Sequence, residues 1–195
     1  LESIEAIHID WKQGAPMAGV SGGALASAVS RAGGLGMIGG GYGDPAWLQR
    51  EFAAAGNERV GVGFITWSIA EKPHLLKAAL EQSPAALMLS FGSLEPVLEH
   101  ISGASTKLIV QVQTLAQARE ALAADADIIV AQGTEAGGHG AGRATLPLVP
   151  AIVDIAGSTP VVAAGGVGDG RGLAAALSLG AAGVLCGTAF FAADE

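Results

Sequence analysis

Short apolar runs, many of them β-branched, alternate along this chain with Ala/Leu-rich runs of helical spacing. The spacing predicts strands over Gly14–Met17, Leu35–Gly39, Val60–Ile65, Ala86–Ser90, Lys107–Val112, Ile128–Ala131, Pro160–Ala164 and Gly183–Cys186. Between them it predicts helices over Gly23–Arg31, Pro45–Ala55, Lys72–Gln82, Leu94–Ile101, Leu115–Ala124, Leu146–Ile155 and Arg171–Leu179. Runs such as Lys107-Leu108-Ile109-Val110 and Val161-Val162-Ala163-Ala164 stay apolar instead of alternating, as parallel strands covered on both faces do. Asp44, Ser93 and Thr114 stand where helix N-caps belong, Pro45 takes a first helical position, and Gly180 stops the last helix.

Eight strands joined by seven helices point to an α/β fold, the (β/α)8 TIM barrel. The rival is an open doubly wound sheet, whose glycine fingerprint follows its first strand. Here the strongest glycine loops follow strands six to eight, and a barrel commonly holds phosphate after strands seven and eight. No linker or shift of composition divides the chain, so residues 1–195 read as a single domain. The sequence stops shortly after the eighth strand. The expectation is therefore a C-terminally truncated barrel that lacks its eighth helix and a C-terminal extension. The outer face of the last strand would then be bare or covered by a partner, and a homo-oligomer built through that face is expected.

Composition narrows the function classes. Half of the 195 residues are hydrophobic and 14% are charged, which favours a large buried core over disorder. A net charge of -8 without a Lys/Arg cluster argues against a nucleic-acid partner. No apolar run reaches the ~20 residues that span a bilayer, so no membrane partner is expected. Cys186 is the only cysteine, which excludes an intrachain disulfide and fits a reducing, cytoplasmic setting.

The chemistry gathers in three glycine loops. Gln132-Gly133-Thr134-Glu135-Ala136-Gly137-Gly138-His139-Gly140 follows the sixth strand, Gly165-Gly166-Val167-Gly168 the seventh, and Cys186-Gly187-Thr188 the eighth. Glycines let backbone N–H groups approach a flat or charged ligand. Loops on three consecutive strands suggest one site for one phosphorylated ligand. The helix start near Arg171 offers N–H groups and a partial positive charge to that phosphate. His139, flanked by glycines on the catalytic face of a barrel, is the candidate general base, since imidazole is the side chain that ordinarily exchanges protons near neutral pH. Glu135 either orients that ring or is a solvated carboxylate. His8 lies near the start of the chain, and His74 and His100 fall on outer helices, where a solvated surface is expected. No second Cys or His stands at metal-ligand spacing, so no metal is expected. Cys186 reads as an inert thiol at an apolar strand end. Met17 ends the first strand, either as core packing or against a cofactor ring.

In order along nearly the whole chain, Ala15-Pro16-Met17-Ala18-Gly19, Gly33-Gly34-Leu35-Gly36, Gln132 to His139, Ala163-Ala164-Gly165-Gly166 and Gly187-Thr188 resemble the nitronate monooxygenases, formerly called 2-nitropropane dioxygenases. The related FMN-dependent enoyl-ACP reductases share much of this pattern. The resemblance implies an FMN-binding barrel that oxidises nitronates or nitroalkanes with O2. It implies that His139 is catalytic. It also implies that Pro16, Met17, Ala18, Gly63, Gln111, Gln132, Gly137, Gly138, Gly165, Gly166, Leu185, Cys186, Gly187 and Thr188 contact the cofactor. Gly63 stands where many relatives carry Asn, and Gln111 where some carry Lys. An enoyl-ACP reductase using NAD(P)H, or a flavin-binding barrel without turnover, are the alternatives.

Overall fold

The computed structural model describes residues 12–191 except Ser102 and Ala141, so His8 lies outside the described residues. The chain begins with β1 (Lys12–Gly14), α1 (Gly23–Arg31), β2 (Met37–Gly41) and α2 (Pro45–Ala55). There follow β3 (Gly61–Ile65), α3 (Thr66–Ile69), α4 (Pro73–Glu81), β4 (Ala86–Ser90) and α5 (Glu95–Ile101). The second half holds β5 (Lys107–Val112), α6 (Leu115–Ala123), β6 (Ile128–Gln132), α7 (Thr145–Ala156), β7 (Val161–Ala164), α8 (Gly170–Ser178) and β8 (Gly183–Cys186). A 3-10 turn, Thr188–Phe190, follows. All strands pair in parallel in the order β1-β8-β7-β6-β5-β4-β3-β2. A bridge from Gln13 to Leu35 joins the two ends, and the sheet becomes a TIM barrel.

Burial explains why the strands do not alternate. Met88, Ile109 and Ile128 stand side by side in register and fill the barrel interior with Met37, Val130, Val162 and Leu185. The intervening residues, among them Leu87, Leu89, Val110, Ile129 and Val161, face Leu76, Val97, Ala118, Leu148 and Ile152 of the surrounding helices. Fully burying one Val, Leu or Ile contributes about 1.5–3 kcal/mol. A polar residue on either face would forfeit that contribution and leave an unpaired group in the core.

The first strand is Lys12–Gly14 and not Gly14–Met17. Pro16 has no N–H for a ladder, and the chain turns out of the sheet. There the Met17 N–H bonds back to the Ala15 carbonyl at 2.9 Å. Helix α3 is a single turn, too short to leave a period in the sequence. Asp44 and Thr114 cap their helices as expected, through Ala46 N–H at 2.9 Å and Gln117 N–H at 3.2 Å. Ser93 accepts only a 3.4 Å bond from Glu95 N–H. The stronger acceptor is Glu120 of α6, which takes Leu94 N–H at 2.8 Å and the Ser93 hydroxyl at 3.1 Å.

The outer face of β8 is covered, contrary to expectation. Val184 is 2% exposed and packs in one cluster with Ala176 and Leu173 of α8. The bare face that was to drive self-association is therefore absent. His74 and His100 sit exposed on α4 and α5, as expected. Among the described residues no helix is long and apolar enough to cross a membrane.

Candidate functional site

The carboxyl ends of the strands open into a cavity of about 940 Å³. Every site residue expected from the sequence lines it. Pro16, Met17 and Ala18 come from the turn after β1. Gly63 comes from β3, Gln111 from β5 and Gln132 from β6, with Gly137, Gly138 and His139 on the loop that follows. Gly165 and Gly166 follow β7, and Leu185, Cys186, Gly187 and Thr188 end β8. Cys186 is only half-buried, with Sγ 3.8 Å from the Val167 carbonyl.

Gly63 owes its identity to packing. A Cβ there would overlap the Pro16 ring, which covers the position. The ring thus occupies the space that a larger side chain on β3 would need.

The corner after β7 is built from unusual backbone. Gly165 and Gly166 have φ of 107° and 73°, values that L side chains rarely adopt. A Cβ on Gly165 would come within 2.7 Å of Ala136 N and 2.9 Å of Thr145 Oγ1. Among the described residues the N–H groups of Gly166 and Gly187 donate to no other group, so they remain available to an anion. The start of α8 does not. Asp169 caps it, accepting from Arg171 N–H at 2.9 Å and Gly172 N–H at 3.3 Å, and pairs with the Arg171 side chain. That guanidinium and the two N–H groups hold the Asp169 carboxyl below its ordinary range. Two of the N–H groups expected to face phosphate, those of Arg171 and Gly172, are thus already taken by a carboxylate.

Glu135 is an exposed carboxylate, and among the described residues its hydrogen bonds go to Thr145 and Thr134, not to His139. Its carboxylate accepts from Thr145 N–H at 2.9 Å and lies 3.0 Å from Thr145 Oγ1, which closes the start of α7. Burial opposes its charge, yet bonds from its own N–H, from Thr145 and from Thr134 outweigh this and hold its carboxyl below the usual range. The Thr145 hydroxyl also lies 3.2 Å from the Ala164 carbonyl and 3.1 Å from that of Gly165, so one residue ties the loops after β6 and β7 together.

His139 is exposed at the cavity mouth, its ring 4.8 Å from that of Phe91 at 49°. Phe91 follows β4 and carries φ 64°. Backbone strain of this kind gathers where a side chain must be aimed. Three amides lie beneath. Gln111 Nε2 donates to Gln132 Oε1 at 3.0 Å, Gln113 Nε2 donates to the same oxygen at 2.6 Å, and Gln132 Nε2 donates to the Gly137 carbonyl at 3.1 Å. Sequence reasoning missed Phe91, Gln113, Ser90 and the mouth residue Tyr42. Only the aromatic-glycine pair Phe91-Gly92 after a strand offered a signal.

Comparison with known proteins bears on the fold and the family. Residues 67–195 match the family model described as nitronate monooxygenase. A nitronate monooxygenase of Metarhizium robertsii, npaC, is 39% identical over 214 residues, covering 93% of this chain and 58% of that protein. Among solved structures, FabK from Thermotoga maritima superposes with TM-score 0.84 at 34% identity, over 92% of this chain and 58% of its own. Nitroalkane oxidase from Streptomyces ansochromogenes gives 0.77 at 31%, over 95% and 67%. The chain thus spans less than two thirds of the length of npaC and of FabK. With the family model matching two of every three residues, and with relatives alike across the barrel, the chain belongs to the nitronate monooxygenase family of flavin-dependent oxidoreductases.

Proposed function

We propose that residues 1–195 form the FMN-binding barrel domain of an oxidoreductase that oxidises alkyl nitronates or nitroalkanes with O2. The observation that carries this reading is the cavity of about 940 Å³, with an anion-receptive glycine corner at Gly166 and Gly187 and His139 at its mouth. The residues fit the cofactor. Met17, Ala18, Leu185 and Cys186 offer a largely apolar wall for a flat ring, and the N–H groups of Gly166 and Gly187 suit a phosphate. Bound FMN supplies the redox chemistry.

The chain's own residues do the rest. The glycine N–H groups hold the phosphate end. The Gln111 and Gln132 amides, fixed to one another, present polar edges to the ring from the ends of β5 and β6. An imidazole nitrogen of His139 takes the proton from the carbon bearing the nitro group, or donates a hydrogen bond to a substrate that is already a nitronate anion. Phe91 backs the imidazole on one side.

In the full-length enzyme His139→Asn is expected to keep its flavin absorbance and to lose oxidation of neutral nitroalkanes by about 10²–10⁴-fold, the usual worth of a general base. A preformed nitronate, which has no such proton to lose, is expected to suffer less. Wild-type rates on both substrates would remove His139 from the site.

A second reading is an enoyl-ACP reductase using NAD(P)H. The higher TM-score to FabK than to nitroalkane oxidase, 0.84 against 0.77, keeps it in play. NAD(P)H consumption with an enoyl thioester, without nitronate turnover in air, would establish it. A reducing cytoplasmic setting suits either reading.

A further inference from the structure

We infer that Gln113 is a positioning residue: its side-chain amide anchors the His139 loop through the His139 carbonyl. The inference rests on the reading of His139 as the proton-accepting group.

Gln113 follows directly on β5, and it is not among the residues lining the cavity. Its Nε2 carries two protons and spends both. One goes to Gln132 Oε1 at 2.6 Å, the other to the His139 carbonyl at 2.5 Å. Its own N–H is held by Gln117 Oε1 at 2.8 Å, at the first turn of α6. The amide is therefore fixed at its root by a helix and at its tip by a buried glutamine. The loop it holds needs such an anchor. Gly137, Gly138 and Gly140 surround His139, all four are exposed, and Gly138 takes φ 87°. Glycines leave the backbone many conformations. Only Gln132, at the Gly137 carbonyl, and Gln113, at the His139 carbonyl, join this stretch to the rigid strand ends by side-chain hydrogen bonds among the described residues. Gln132 faces the cavity and so belongs to the expected cofactor wall. Gln113 does not line the cavity; it bonds both Gln132 and the His139 carbonyl, and the Gln132 oxygen keeps its bond from Gln111 when Gln113 is replaced. A displacement of about 1 Å in a reacting group costs on the order of 10²-fold in rate.

The test uses the full-length enzyme with Gln113→Met, which keeps the length of the side chain and removes both donors. Gln113→Glu serves as a second variant, because it puts an acceptor against two acceptors while keeping the shape. Expected are unchanged FMN binding, faster hydrogen exchange in the peptide covering residues 137–140 of the apoprotein, and kcat on nitroethane lowered by roughly 10- to 100-fold. KM is expected to stay near wild type. In a double variant with His139→Asn the two losses in kcat are expected not to multiply, since the proposed effect of Gln113 on the rate runs through the histidine. Losses that multiply, an unchanged exchange rate, or an unchanged kcat would each overturn the proposal. Where His139→Asn is slow and Gln113→Met keeps full kcat, the anchor alone fails. Where His139→Asn itself runs at wild-type rates, the general-base reading fails and the anchor proposal falls with it.

Discussion

Gly166 is where the phosphate reading is most exposed to refutation. A Cβ at this position would meet only Glu135 Cβ at 3.4 Å and Cγ at 3.7 Å, so space does not forbid a side chain. The obstacles are backbone conformation and charge. At φ 73° an ordinary L-residue loses about 1–2 kcal/mol, and Asn or Asp loses less. Gly166→Ala is therefore expected to weaken FMN binding by at most about 5- to 30-fold, at 1.4 kcal/mol per tenfold. Gly166→Asn and Gly166→Asp share shape and conformational preference and differ in one charge. Two unit charges about 4 Å apart interact by roughly 1 kcal/mol in water and roughly 4 kcal/mol near a protein surface. Gly166 is itself exposed, so the gap between Asn and Asp should fall within that range, about 5- to 10³-fold in Kd. It should narrow as salt rises, because screening at 0.1 M acts over about 10 Å. Titrating apoprotein with FMN and following flavin fluorescence at low and high salt gives all three constants. Equal Kd for Asn and Asp, or a gap indifferent to salt, would show that no phosphate lies at this corner.

Glu135 should contribute stability through its bonds to the start of α7. Its carboxyl lies below the ordinary value, so that contribution is complete above the unfolded glutamate value of about 4.3 and is lost as pH falls through the lower folded one. Glu135→Gln should flatten that stretch of the melting-temperature profile; an identical profile would mean that the Thr145 bonds carry no weight. Gly63→Asn should destabilise by about 1–3 kcal/mol because the Pro16 ring fills its place. Adding Pro16→Ala should recover part of that loss in a thermal melt, and no recovery would count against the overlap.

Much of this barrel was legible in the sequence. Parallel strands buried on both faces leave apolar runs such as Ile128-Ile129-Val130, and short connections leave glycines at fixed places. Both signals are local, so a one-dimensional reading finds them. Asp44 and Thr114 were readable as caps because they bond to N–H groups two or three residues ahead. The cavity residues were readable because loops at strand ends share one face of a barrel whatever their details.

What the sequence could not supply were partners distant along the chain. Glu120 takes the N–H of Leu94, 26 residues earlier, and Glu135 closes a helix that begins ten residues later. Asp169 was passed over as a cap, and its helix start was assigned to phosphate instead. Pro16, in the turn after β1, covers Gly63 of β3, a contact between residues 47 positions apart. Gln113 looks like any polar residue at a strand end until the fold brings the His139 carbonyl to its amide. Periodicity and glycine placement are set by each residue's own backbone preference and burial, so they are written in the chain itself. Which buried donor meets which acceptor depends on the closure of the barrel, and only the tertiary structure decided it.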